Sequence, residues 1–478
     1  VLYATTQCVH YLSFQQNSWS FCRAILNTGR GAIKDWLRNR RSLASVTLME
    51  KHDLGQSPLD YWPSPWPGED AGPQRLQVSP SKKAIRISTE FSVHSRTAIA
   101  STMVVLRAPG EVFLLCHTGG DDAISWVEQI DPETLELIRR SPDLPGGPTW
   151  PGGLAAHANG SLYVVFGRHA HRLSSTLEVE VSRKLPRNRP YNSFVILEDG
   201  CLATKDFGGA RPSEDPTFLS DDTEVLILDP LNLETRANLI IPEASVARLS
   251  GTARTVDVVG VTTLWRMHWK PVPGSERLEF DDSPSGSTQY RVNDGEGYGW
   301  DAVLADESAW FLNNGAGSEG FNGSLRGVGV ATYPQEIVRV SRRDGAMQRY
   351  RVNDQPGGIV ANPPAVDESR CIVVGYDSGN GVVTAWRYDE NPTRLWTKHW
   401  NHAGHPLLFP ESGIVVLGDF DQQRGIDVVL FVDIETGEEL ARVDTESPLQ
   451  SVLFGAAGFA NDIYMCTFTT VTRISFSV

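Results

Sequence analysis

The chain has 478 residues, 40% of them hydrophobic and 21% charged, enough for a substantial core in one large all-β domain or in two or three ordinary ones. A net charge of −15 speaks against broad nucleic-acid binding, which needs a basic face to neutralise phosphates. No apolar run approaches the roughly 20 residues that span a bilayer, and six scattered cysteines without a C-x-x-C pair signal neither a zinc knuckle nor a redox dithiol.

The charge is uneven along the chain: residues 1–51 hold seven Lys/Arg against two Asp/Glu, leaving −20 for the remainder. A chain that starts at Val1 rather than Met is expected to lack an upstream start or a cleaved leader. Within residues 18–48, Ile25, Leu26, Ile33, Trp36 and Leu37 fall at helical spacing among Arg23, Arg30, Lys34, Arg38, Arg40 and Arg41. This predicts a short, partly helical extension. It packs on an acidic flank of the protein or offers its basic face to a protein partner or an anionic membrane surface. "YWPSPWPGED" (61–70) reads as an extended Pro/Trp linker, and the domain boundary is expected between residues 82 and 83.

From about residue 100 onward one pattern recurs: a short apolar run, a turn rich in Gly, Asp, Asn or Glu, and a second apolar run. Examples are "MVVLRAPGEVFLLC" (103–116), "GLAAHANGSLYVVF" (153–166), "DAVLADESAWFLN" (301–313) and "PLLFPESGIVVLG" (406–418). Such runs read as hairpins, and turns about 40 to 60 residues apart match the period of four-stranded propeller blades. Second hairpins such as "QIDPETLELI" (129–138) and "FVDIETGEELARV" (431–443) complete the units. The expected fold is therefore an all-β, eight-bladed propeller, with seven blades as the alternative if the weak hairpin at 249–261 is misread. The last unit stops after three strands, so "KAIRISTEF" (83–91) is expected to supply the fourth and close the ring.

The outer turn "VDIETGEEL", of the form hydrophobic-Asp-x-x-Thr-Gly, resembles the eight-bladed quinoprotein-like or YVTN-type propellers over roughly residues 84–478. The resemblance implies a fold and a central-channel site but no particular activity. Quinoprotein dehydrogenases carry adjacent cysteines over their quinone; this chain has none, so pyrroloquinoline quinone is not supported.

In such a ring the links between blades and the loops between second and third strands share one face and border the channel. The candidate acid/base residues there are His117, His169, His405, Asp206 and Asp301, because imidazole titrates near neutrality and a carboxylate orients it. Lys205, Arg248, Asn313, Trp150, Tyr191 and Trp300 are candidates for binding substrate. Asp377, Asp301 and Asn313 offer oxygen ligands for a divalent cation such as Ca²⁺, and the three histidines offer a transition-metal set. Each has a plainer structural reading, since aspartates at blade turns commonly cap backbone N–H groups. "TKHWNHAGHPLLF" (397–409) is not a self-contained metal motif: a chain moving radially inward spreads His399, His402 and His405 from rim to channel. No G-x-S-x-G, H-E-x-x-H or P-loop pattern occurs, and "GAGSEG" (315–320) opens no helix.

Three functions follow. The first is a small-molecule enzyme at the channel mouth, of acid/base or metal-assisted hydrolase, lyase or isomerase type, with loops 206–222 and 313–334 as lids. The second is a non-catalytic platform for a protein partner or a membrane surface; the third is a metal-dependent oxidoreductase. Scattered, buried thiols favour a soluble protein in a reducing compartment, with the cytoplasm slightly preferred. Oligomeric state is not legible in the sequence.

Overall fold

Eight antiparallel sheets follow one another along the chain, each of at least four strands. The computed structural model describes residues 60–87, 91–98, 100–210, 215, 218–317, 324–448 and 454–476. The basic stretch 18–48 and parts of loops 206–222 and 313–334 lie outside the described residues.

The innermost strands are Ser101–Leu106, Gly153–Ala156, Tyr191–Ile196, Ser250–Gly251, Val303–Ala305, Ala365–Asp367, Leu407–Phe409 and Phe454–Ala457, which define blades 1 to 8. Inner strands of neighbouring blades touch from blade 1 to 3 and from blade 4 to 8, and Ser101–Leu106 meets Phe454–Ala457. This is the eight-bladed propeller expected from the turn spacing. The weak hairpin that left seven blades open forms blade 4, although its inner strand is only the pair Ser250–Gly251, bonded to Thr255–Val259.

Burial follows from stacking blade on blade. The second strands Val112–His117 and Ile372–Asp377 are buried throughout because a blade covers each face, whereas the rim strand Leu137–Arg140 is exposed at every position. The recurring Asp turns have a local cause. Asp433 Oδ1 accepts from the backbone N–H of Glu435 and Thr436 and from the Thr436 hydroxyl, and Asp131 does the same in blade 1. Gly437 then takes the left-handed conformation at φ 69°, a position held by Leu135 (φ 60°) and Leu233 (φ 59°) in blades 1 and 3. Both leucines are fully buried between blades, so burial outweighs a conformational cost of about 1–2 kcal/mol.

Two expectations about the N-terminal side need correction. The closing strand is Phe91–Thr97, paired antiparallel with Thr470–Phe476 from Phe91↔Phe476 to Thr97↔Thr470. "KAIRISTEF" shares only Phe91 with it, because its apolar positions are used elsewhere. Ile85 is buried, and its N–H donates to Ser412 Oγ in the first turn of blade 7.

Residues 60–79, which include the stretch 61–70 read as an extended linker, lie inside the channel. Their backbone bonds to the inner strands, whose channel-facing edges would otherwise be unpaired. Leu106 N–H donates to Trp66 O, Ala156 to Pro67, Gly251 to Pro73, Leu304 to Gln74 and Leu408 to Gln77. Trp66 and Tyr61 are buried, too apolar for a solvated linker. The segment enters beside the far ends of the inner strands of blades 1 and 2, turns at Glu69–Ala71, and returns to the same face near Ser412. The described part of this segment belongs to the same compact unit as the blades, Asp53–Val478.

Candidate functional site

The turn of the threaded segment brings Glu69 and Asp70 to the blade-to-blade links of the ring. Arg75, from the descending limb, locks that turn. Its guanidinium donates to Leu249 O (3.1 Å), Glu69 O (3.1 Å), Phe194 O (3.1 Å) and Ser193 Oγ (2.7 Å), and lies 3.1 Å from Glu69 Oε2. Ser193 Oγ in turn donates to Glu69 Oε2 at 2.7 Å. Asp70, Ala71, Arg75 and Gln77 all have positive φ (49°, 68°, 60° and 58°), a concentration of strained backbone of the kind that collects at functional sites. Gly153, on the inner strand of blade 2, leaves the room that Glu69 occupies, since a Cβ there would run into Oε1.

Around this turn three links contribute one residue each. His405, before blade 7, holds Nδ1 2.8 Å from Asp70 Oδ1. Asp301, before blade 5, accepts the backbone N–H of Arg248 on Oδ1 at 2.6 Å. Arg248, before blade 4, sets its guanidinium 3.9 Å from Glu69, 3.8 Å from Asp70 and 3.7 Å from Asp301. Phe454 walls the cluster, with the His405 ring stacked 4.8 Å away and Arg248 5.1 Å from its centroid.

The environment sorts the two adjacent carboxylates. Burial raises Glu69, and Arg75 and Arg248 only partly oppose it. Burial pushes Asp70 the same way, but His405, Arg248 and Arg75 outweigh it and hold the group down at about 2. Lys205 lies nearby, fully buried, with Nζ donating to Asp206 O (3.0 Å) and Ser245 O (2.9 Å); burial lowers it to about 8 against the pull of Asp206 and Asp301.

Of the residues singled out from sequence, His405, Asp301 and Arg248 meet here and Lys205 borders them. The expected partners of His405 do not. Asp70 and Phe454 stand beside it instead, while His117 and His169 sit at the ends of second and third strands, farther from the axis. His117 Nδ1 is 2.8 Å from Thr118 O with its ring stacked on Phe166, and His169 Nδ1 is 2.5 Å from Gly146 O.

Asp206 and Tyr191 belong to another network in blade 3. Asp206 accepts the Glu224 N–H and pairs with Arg187, and the Tyr191 hydroxyl donates to Glu224 at 2.6 Å. Trp150 stacks on Phe207 at 4.1 Å, and Trp300 is buried with its backbone N–H donating to Leu312 O. Of the proposed oxygen ligands, Asp377 and Asn313 are bonded within the protein, while Asp301 keeps Oδ2 without a donor among the described residues. Asp377 accepts from Gly379, Asn380 and Asn353, and Asn313 bonds Glu336, Gln335 and Glu296. Among the described residues no three His, Cys, Asp or Glu side chains gather as a metal site. His399 is exposed, and His402 is buried with Nδ1 accepting the Gly418 N–H at 2.8 Å, so the equal spacing does separate the three side chains.

Sequence reasoning missed Glu69, Asp70, Arg75 and Gln77. A usable signal was present: "GEDAGPQR" sets charged and amide residues directly behind two tryptophans and a tyrosine, a composition unsuited to a solvated linker.

No protein-family model and no curated protein sequence matches the chain. Solved structures do match its fold. The quinohemoprotein alcohol dehydrogenase from Comamonas testosteroni is 10% identical with a TM-score of 0.52, covering 86% of this chain and 80% of that one. A europium-containing methanol dehydrogenase is 10% identical with a TM-score of 0.51, covering 84% and 89%. The computationally designed Ika8 protein is 12% identical at 0.51, covering 79% and 96%. The chain thus has the eight-bladed, quinoprotein-like propeller fold, and identities this low establish the fold alone. Residues 60–79 run along the channel axis, and the four described cysteines are separate free thiols.

Proposed function

We propose that the chain acts on a small molecule at the mouth of the central channel, beside the Glu69–Ala71 turn, by acid/base chemistry of the hydrolase, lyase or isomerase kind. In this reading His405 transfers the proton and Asp70 orients it. One observation supports it: His405 Nδ1 lies 2.8 Å from Asp70 Oδ1 while Nε2 has no partner among the described residues. A carboxylate against one ring nitrogen fixes how the other is presented, and Arg248 supplies positive charge for negative charge that develops on a substrate.

The test is turnover of a panel of lactones, esters, hydroxy acids and sugar derivatives, followed by proton release and NMR. His405→Gln is expected to abolish turnover, a loss on the order of 10² to 10⁴, with unchanged circular dichroism. Turnover that survives in His405→Gln would sink the assignment.

A second reading, a non-catalytic platform for a protein partner or a membrane surface, has its own support. The channel is occupied by the chain's own segment, which leaves the outer faces as binding surface. No turnover across the panel by the folded wild-type chain favours this reading.

A further inference from the structure

The central cluster has a lopsided hydrogen-bond inventory. Glu69 Oε1, Asp70 Oδ2 and Asp301 Oδ2 are buried without a donor among the described residues, and His405 Nε2 has no partner either. Arg248 stands 3.8 Å from the unpaired Asp70 Oδ2 and 3.7 Å from the unpaired Asp301 Oδ2, each just beyond hydrogen-bond reach, and 3.9 Å from Glu69 Oε2, which already accepts from Ser193. Native interiors leave few buried polar atoms unpaired, so two free carboxylate oxygens beside one guanidinium point to a ligand that joins them.

The geometry specifies that ligand. Two polar atoms 3.7 to 3.8 Å apart are bridged by one oxygen with legs of about 2.8 Å. The bridging oxygen must accept from Arg248 and donate to a carboxylate, which a hydroxyl does and most other groups do not. An ammonium cannot accept from Arg248 and would press against its charge. A carboxylate cannot donate to two carboxylate oxygens and would be repelled by them. The cations Arg75 and Arg248 already balance most of the negative charge, so a neutral ligand adds none. Phe454 provides the flat apolar wall against which the C–H face of such a ligand packs.

We propose that this cluster binds a neutral small molecule with at least two neighbouring hydroxyl groups, of the sugar or cyclic-polyol class, one hydroxyl bridging Arg248 and Asp70 and the other bridging Arg248 and Asp301. The proposal rests on the acid/base reading of the same site and names its ligand class.

The test is calorimetric titration of the full chain with myo-inositol, xylitol and methyl glucoside, against cyclohexanol, putrescine and malate. Low millimolar concentrations keep general osmolyte stabilisation out of the signal. At least one polyol is expected to bind and cyclohexanol is not. Asp301→Asn retains Oδ1 for the Arg248 N–H and replaces only the free acceptor, so it is expected to weaken polyol binding about tenfold.

No polyol binding, meaning that water alone fills the gaps, overturns the proposal; so does preference for putrescine or malate, or polyol affinity unchanged in Asp301→Asn. If that variant does not fold, inositol epimers titrated into the wild-type chain decide, since a built site separates them by about tenfold and equal affinities refute one. Polyol binding retained in a wild-type chain without turnover leaves the ligand class standing and removes the acid/base reading. Turnover of a substrate without hydroxyls does the reverse.

Discussion

Replacing Arg75 by Met tests whether residues 60–79 are an integral axle of the ring. Met keeps most of the stem volume and removes every charge and donor. The side chain is 1% exposed, and its loss leaves the carbonyls of Glu69, Leu249 and Phe194 short of a donor and Glu69 without its nearest cation. Stranding one member of a buried ion pair costs about 3–5 kcal/mol, with the carbonyls adding to it. Glu69 is already pushed toward its neutral form by burial, so proton uptake relieves part of the cost, and about 4 kcal/mol is expected. Urea unfolding followed by tryptophan fluorescence should show a lower midpoint. Glu69→Gln added to Arg75→Met should recover about 1–3 kcal/mol of coupling. A loss below about 1 kcal/mol, or strict additivity of the two changes, would mean that the segment rests in the channel without supporting it.

Acid sensitivity should come in two windows. Burial pushes His402 and His171 down to about 4 from 6.5, so both are neutral in the fold while the unfolded chain takes up protons below 6.5. Stability is then full above pH 6.5 and falls as pH drops towards 4, by up to about 3 kcal/mol for each histidine. The Asp70 contribution is present above 3.8 and is lost only as pH falls towards 2. Urea midpoints measured from pH 8 to 3 should show the first decline, with His402→Gln reducing it; a flat profile across 6.5 to 4 contradicts it. Leu233→Gly should destabilise by about 1 kcal/mol or more although it relieves a left-handed φ, because the lost burial exceeds the strain. A stabilised variant in thermal melts would show that strain dominates at that turn.

Much of the fold was legible because its determinants are local. A strand pair needs a few apolar residues and a turn of the right chemistry, and the Asp433 and Asp131 turns carry both within ten residues. Repetition at a constant period then gave the blade count, including the weak fourth blade. The radial run of "TKHWNHAGHPLLF" was also readable, since a link between blades must pass from rim to axis, and His399, His402 and His405 separate accordingly.

Tertiary structure decided what happens at the axis. Nothing near His405 in sequence announces Asp70, which lies far upstream, and nothing in "WPGEDAGPQR" states that a ring will close around it. The choice between "KAIRISTEF" and Phe91–Thr97 as closing strand likewise depended on which apolar residues blade 7 had already claimed. Repeat patterns record the contacts of a blade with itself and with its neighbours. The site belongs to contacts across the ring, between a segment that precedes the repeats and links from blades 4, 5 and 7, and only the closed structure brings those together.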